Sequence, residues 1–320
     1  MFFTEFMDNS ILKLFENAIK KRQSLTSCTN ARRLVNGVGD GLEGLVLEEY
    51  NRHFVAQLFD KRWLREDKVL IDFVKKLGAQ YFIVKNRSES ASSQPDAFKA
   101  IVWIEHPNSQ TTVHENGLTF SVDLNDTLNT GLFLDMRNNR KTVAELSSGR
   151  KVLNCFSYTC SFGVYCRAAG ALSVVNVDIS RKSLARGLIN YELNQVVASR
   201  NEFIRVDAVE YLERAVKKNN CFDLIILDPP SFARGEGKNF TVKKDLQGVV
   251  NSAMKILNPQ GVLFLSTNFS SLSSHDLEKM VRQAGGDQRI KKVEHFGQDI
   301  DFVGSGKTPE SYLAAILVKT

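Results

Sequence analysis

Between Lys151 and Thr267 the chain repeats one unit, an apolar strand followed by an amphipathic helix, and no other feature narrows its fold as far. The pattern predicts strands at residues 151–156, 172–178, 202–206, 222–228 and 261–267, with helices near 161–169, 181–194, 208–218 and 244–257. Strands joined by helices of this length pair in parallel, because each crossover returns the chain to the same end of the sheet and leaves helices on both faces. Segments near 290–297 and 311–318 are expected to add antiparallel edge strands. The fold class that follows is α/β, with a doubly wound sheet.

The chain before this region has a different character. Residues 45–47 and 54–58 flank the turn residues Asn51 and Arg52 and predict a hairpin. Residues 64–77 read as an amphipathic helix, residues 81–85, 101–104 and 118–122 as strands, and the polar stretch 88–95 as a loop. A small α+β domain is therefore expected over 31–124, after a helical extension at 1–30 and before the α/β domain at 125–320. In the extension, Ser10 is placed to cap a helix ending in Lys20, Lys21 and Arg22. Cations suit the last turn of a helix, and a phosphate contact is the second reading of these three. Gly37, Gly39, Gly41 and Gly44 lead into a strand rather than a helix, so they read as turn glycines and not as a phosphate cradle.

Several function classes are disfavoured by composition. No apolar run approaches the roughly 18 residues of a membrane span, and Met1 to Glu5 lacks the basic start of a signal peptide, which places the protein in the cytoplasm with no membrane partner. Cys155, Cys160 and Cys166 fall near one turn but match no zinc spacing, and the five histidines form no paired motif, so no metal site is expected. Those cysteines read as small buried apolar residues. Residues 1–124 hold 16 Lys/Arg and 16 Asp/Glu, which leaves 26 against 20 in the remainder and puts the whole +6 excess after residue 124. That excess is compatible with a nucleic-acid partner.

Ligands of doubly wound sheets bind beyond the carboxyl ends of the strands, where strand order reverses. Four strand ends here are polar: Asn154-Cys155-Phe156-Ser157-Tyr158-Thr159, Asn176-Val177-Asp178 with Ile179 and Ser180 following, Asp207-Ala208, and Asp228-Pro229-Pro230. Together they can enclose a nucleoside-bearing ligand. Asp178 would accept hydrogen bonds from ribose hydroxyls, which fits NAD as well as S-adenosylmethionine. The first turn separates the two, because a pyrophosphate needs G-x-G-x-x-G and residues 157–163 read Ser-Tyr-Thr-Cys-Ser-Phe-Gly. S-adenosylmethionine has no pyrophosphate, so hydroxyls and backbone amides suffice. Asp207 would accept from the adenine amino group beside Ala208. Each aspartate alone reads more readily as a cap or turn residue; their succession at neighbouring strand ends favours a ligand.

Gly131-Leu132-Phe133-Leu134-Asp135-Met136-Arg137-Asn138-Asn139-Arg140, the turn 154–162, residues 176–185 and Asp228-Pro229-Pro230-Ser231-Phe232 together resemble the class I methyltransferases that modify large-subunit ribosomal RNA at cytosine-5 or guanine-7. Residues 32–45 resemble that family's central α+β domain, and the similarity covers roughly 31–318. The resemblance implies a Rossmann-like, seven-stranded methyltransferase sheet, S-adenosylmethionine as cofactor and large-subunit rRNA as partner. It also implies that the segment from Phe133 to Arg137 packs over the cofactor, with Arg137 near its methionine end.

Three departures qualify this. Only about 30 residues precede Arg32, too few for the RNA-binding PUA domain of many relatives. Cys160 stands where the first turn usually has glycine, and Met136 where the segment usually has glutamine; cofactor binding is expected to survive both. Cytosine-5 members carry Ser-Cys-Ser near the end of the fifth strand, where this chain has Ser266-Thr267-Asn268, and no cysteine follows Cys221. Cytosine carbon-5 is a poor nucleophile until a thiolate adds to the ring, whereas a nitrogen can attack when held in line. A nitrogen target is therefore expected, with Asp228 and the Pro229-Pro230 backbone positioning the base, Phe232 stacking on it and Asn268 at its edge. Residues 233–244, with four bases and one acid, suit either a phosphate-gripping loop or a solvated one. Cytosine-5 methylation by a divergent mechanism, a non-catalytic RNA-binding or ribosome-assembly role, and a homodimer all stay open.

Overall fold

The computed structural model describes residues 9–88, 100–104, 108–126, 129–234, 239–302, 304 and 312–320. The chain divides into two units, Met1–Asp135 with Gln298–Ser311, and Met136–Gly297 with Tyr312–Thr320. The division falls later than the boundary expected after Leu124, and the first unit takes back a segment expected in the second.

In the first unit, α1 (Asn9–Lys21), β1 (Ala31–Asn36), β2 (Leu45–Tyr50), β3 (His53–Leu58), α2 (Asp67–Lys76), β4 (Tyr81–Asn86) and β5 (Ala100–Ile104) precede a separate hairpin, β6 (Gln110–Glu115) and β7 (Leu118–Asp123). The five-stranded sheet runs β1-β2-β3-β4-β5, and only β3 and β4 pair in parallel, since α2 makes the crossover between them. Tyr50 faces His53 across the expected hairpin, with Asn51 and Arg52 at φ 50° and 65°, the left-handed pair that two-residue hairpin turns favour. Residues 9–30 are no free-standing extension. Phe15 and Ala18 of α1 are fully buried with Leu34, Phe54, Phe73 and Phe82, and the Phe15 and Phe73 rings lie 4.4 Å apart.

Ser10 lies inside α1 rather than at its cap. Lys21 and Arg22 converge on Asp40, with Arg22 Nη2 at 2.6 Å from Oδ2 and Lys21 Nζ at 3.1 Å from Oδ1. Burial opposes ionisation of Asp40, but the Arg22 bonds and the Asn36 N–H hold its carboxyl below the ordinary value. The glycine-rich stretch is a turn, with Gly37, Gly41 and Gly44 at positive φ ahead of β2.

The second unit contains α3 (Arg137–Glu145), β8 (Lys151–Cys155), α4 (Ser161–Ala168), β9 (Ser173–Asp178), α5 (Arg181–Leu193), β10 (Phe203–Arg205), α6 (Ala208–Lys217) and β11 (Phe222–Leu227). A two-stranded ribbon, β12 (Phe232–Arg234) and β13 (Asn239–Thr241), leads to α7 (Val242–Ile256), β14 (Leu257–Thr267), α8 (Ser274–Gly285), β15 (Lys292–Phe296) and β16 (Ala314–Lys319). The seven-stranded sheet runs β10-β9-β8-β11-β14-β16-β15, and its first five strands are parallel. Only one of the last two strands is an edge. β16 lies between β14 and β15, antiparallel to both, and β15 closes the sheet.

Strand side chains alternate between two cores. Leu153, Ile225, Leu227 and Leu263 pack with α6, α7 and α8, while Val152, Leu224, Ile226 and Phe264 pack with α3 and α4. No helix among the described residues is long and apolar enough to cross a membrane.

Candidate active site

Strand order reverses between β8 and β11, so the chain leaves these neighbours in opposite directions and opens a crevice at their carboxyl ends. The register sets the ends side by side: Asp178 pairs with Arg205, Cys155 with both Val177 and Leu227, and Leu227 with Leu265. One sheet edge of this unit thus carries residues 156–159, Asp178, Asp207, Asp228 and Asn268.

The turn after β8 is strained. Phe156, Tyr158 and Cys160 have φ of 57°, 47° and 60°, a region that costs about 1–2 kcal/mol for each residue with a side chain. The hydrogen bonds that hold it include Ser157 N to Val177 O at 3.0 Å, Tyr158 N to Asp178 Oδ2 at 2.8 Å, Cys160 N to Ser157 O at 2.7 Å, and Asn190 Nδ2 to Thr159 O at 3.0 Å. Ser157 and Thr159 are buried by this arrangement, whereas Phe156 and Tyr158 stay partly exposed.

Asp178 spends each carboxylate oxygen on one backbone donor, Oδ2 on Tyr158 and Oδ1 on Ser180, both at 2.8 Å. Burial pushes its carboxyl above the ordinary value against these two bonds. Each oxygen has a further lone pair, so the donor set of a ribose diol fits here. Ile179, next along, is exposed. Asp207 does cap its helix, with Oδ1 accepting from Val209 N at 2.8 Å and Glu210 N at 3.2 Å; its Oδ2 has no partner among the described residues. Ala208 is buried beneath it.

The Asn154 side chain is buried and donates to Asn176 Oδ1 at 2.9 Å, and Asn176 donates on to the Tyr191 hydroxyl at 3.0 Å. This chain lies against Gly163 of α4, where a Cβ would sit 2.3 Å from Asn176 Oδ1. Only the backbone of Asn154 remains for a ligand, because an amide enclosed between strand and helix must satisfy its polar atoms there. Arg137 is fully buried on α3, and Phe133, 40% exposed, falls in the first unit.

At the end of β11, Asp228 Oδ1 accepts from Ser266 Oγ at 2.7 Å, and Asn268 Oδ1 accepts from Ser231 Oγ at 2.6 Å. Pro229 is buried and Pro230 exposed. The backbone of Phe232 pairs with Thr241, while its side chain lies outside the described residues, as do residues 235–238 of the basic segment. Burial drives the thiols of Cys155 and Cys160 far up, and that of Cys166 to about 12. None of the three can supply a thiolate near neutral pH. No group of His, Cys, Asp or Glu among the described residues could hold a metal.

Sequence reasoning missed the supporting residues Asn176, Asn190, Tyr191, Ser231 and Ser266. Asn176 was detectable, as an amide interrupting the apolar strand Val174-Val175-Asn176-Val177. The serines carry no such signal.

A family model described as S-adenosylmethionine-dependent methyltransferase matches residues 85–311. A ribosomal RNA large subunit methyltransferase I from Aeromonas salmonicida is 32% identical over 308 residues, spanning 93% of this chain and 76% of that protein. One from Photobacterium profundum is 30% identical over 310 residues, spanning 93% and 78%. Among solved structures, SMU.776 complexed with SAH superposes with a TM-score of 0.88 at 26% identity, over 100% of this chain and 83% of that one.

Proposed function

The chain belongs to the S-adenosylmethionine-dependent methyltransferase family, and from that premise we propose that it methylates a base of large-subunit ribosomal RNA, in the cytoplasm, at a nitrogen and without a cysteine adduct. The cofactor supplies a methyl group activated by a sulfonium. Around it, the backbone of residues 156–159 would line the methionine and ribose, Asp178 would accept the ribose hydroxyls, and Asp207 Oδ2 the adenine amino group. Arg137 and Phe133 take their parts from the family resemblance alone.

The observation that carries the reading is the corner at Asp228. A carboxylate and the exposed amide of Asn268 stand at the ends of adjacent strands, each held by a serine hydroxyl. A carboxylate there accepts a hydrogen bond from an N–H of the nucleophile, aims its lone pair and steadies the positive charge that develops as the new bond forms. Cysteine chemistry is unsupported, since the buried thiols are pushed far above neutrality and Cys221 lies before β11, at the strand's opposite end. RNA as substrate draws support from the names of the relatives and from the basic excess after residue 124.

Nucleoside mass spectrometry of 23S rRNA from a deletion strain should show one methylated nucleoside lost, with a nitrogen-methylated base restored by the wild-type gene and not by Asp228→Ala. Loss of 5-methylcytidine instead would overturn the nitrogen assignment. An unchanged profile, with no transfer by the purified protein to any RNA, would favour a binding role.

A further inference from the structure

Ser266 and Thr267 end β14 and Asn268 follows it, and each of the three has a distinct bond. Ser266 Oγ donates to Asp228 Oδ1 at 2.7 Å, Thr267 Oγ1 accepts from Phe269 N at 3.1 Å, and Asn268 Oδ1 accepts from Ser231 Oγ at 2.6 Å. Ser266 and Thr267 are fully buried, whereas Asn268 is exposed. We infer that Ser266 is a positioning residue for methyl transfer, fixing the Asp228 carboxylate in its working rotamer, and that Ser231 does the same for the Asn268 amide. This rests on the reading of Asp228 given above.

The geometry supports it in three ways. First, Leu227 and Leu265 are register partners, so the next residues on the two parallel strands, Asp228 and Ser266, stand side by side where the ladder ends. Second, the Ser266 hydroxyl has a choice of acceptors, and it lies 2.7 Å from the carboxylate but 3.4 Å from Leu227 O. A bond to an ionised oxygen at the shorter distance is charge-assisted and is the stronger of the two. Third, a buried serine between strands adds little packing, so its hydroxyl needs a partner, and the partner it has is the acid at the reacting corner.

On the other side of the corner, Ser231 occupies the carbonyl oxygen of Asn268. The two hydrogens on Nδ2 meet no acceptor among the described residues, and Asn268 is therefore held as a donor toward a ligand. The corner presents Asp228 as an acceptor and Asn268 as a donor, each bonded to a serine hydroxyl.

Ser266→Ala removes one oxygen and its bond to a carboxylate but little packing, so the variant should still fold, with a lowered unfolding midpoint and unchanged S-adenosylmethionine affinity by calorimetry. With tritiated cofactor and total RNA from the deletion strain, its kcat should fall about tenfold to a hundredfold, the scale of a misaimed group, while KM for RNA changes less than about twofold. Ser266→Thr, which keeps the hydroxyl, should recover much of the rate, and Ser231→Ala should raise KM more than it lowers kcat. A Ser266→Ala enzyme whose kcat stays within twofold of wild type would overturn the role. If Asp228→Ala is equally active, the reading of the corner itself fails; if Asp228→Ala is dead and Ser266→Ala is silent, only the positioning role fails.

Discussion

Cys160 shows how far one residue can be understood from sequence and where that stops. Its left-handed φ of 60° explains why glycine is usual there, so the departure is legible as strain, but what makes it tolerable is not. The thiol occupies a notch over Gly187 of α5, where a Cβ would lie 2.5 Å from Sγ. Gly187→Ala should destabilise the second unit by about 1–3 kcal/mol, the usual cost of overpacking, even though alanine is the better helix former by roughly 1 kcal/mol. Cys160→Gly opens the notch and relieves the strain, so the double variant should recover most of the loss, with a coupling of about 1–2 kcal/mol in a urea-denaturation cycle. Additive effects would remove this contact from the account. Asp178 and Asp228 drew notice in the sequence because acids follow one another at neighbouring strand ends, not because either is unusual alone. The strand-end position of Asn154 does not reveal which face its side chain takes, and Ser266 was silent because one serine near the end of an apolar strand does not show what it will bond.

At the scale of elements, the parallel strands and their helices were readable from periodicity. α3 was not, because it carries only Val143 and Ala144 as buried apolar residues among arginines and asparagines and so shows no stripe, whereas α8 sets Leu277, Met280, Val281 and Ala284 at helical spacing against the core and could have been placed. β16 could have been placed: five of its six residues are buried, the mark of a strand covered on both faces, while β15 is charged like an edge. The return of residues 298–302 to the first unit depends on contacts no local pattern encodes. β1 shifts register between Arg33 and Val35, and the displaced Arg33 N–H donates to the buried Asp301 Oδ2 at 3.1 Å. The Arg33 guanidinium lies 4.2 Å over the Phe302 ring and bonds Glu48 at 2.7 Å, and Asn36 Nδ2 holds Phe302 O at 2.9 Å. Asp301→Ala leaves that N–H without its acceptor, so it should cost the first unit about 2 kcal/mol. Hydrogen exchange at the Arg33 amide should quicken by more than tenfold, with amides of β8 and β11 unaffected. Unchanged protection at Arg33 would mean that the bulge holds without the returning segment.

The whole molecule carries +6, and all of it lies after residue 124, a distribution visible in sequence and independent of the fold. Part of that excess sits where helix stability argues against it. Lys243 and Lys244 are exposed in the first turn of α7, the positive end of the helix dipole, and the only acid there, Asp245, turns back to the Thr241 N–H at 2.7 Å. Cations in such a turn typically cost about 0.3–1 kcal/mol each, so a gain elsewhere is needed to account for them, and RNA phosphates next to the Asp228 corner would provide it. The sequence suggested a basic loop at this point; the structure adds that its last two bases are mounted on a helix, which fixes their spacing. Binding of 23S rRNA fragments should then weaken linearly in log salt, with a slope of about −0.7 for each single-stranded phosphate neutralised. Replacing both lysines with alanine should flatten that slope by about 1 to 1.5 and weaken binding most at low salt, while the unfolding midpoint stays level or rises as the dipole conflict is relieved. A filter-binding series from 50 to 200 mM salt reads the difference. An unaltered slope with a raised midpoint would assign the lysines to a solvated surface and move the phosphate contacts to other parts of the basic excess.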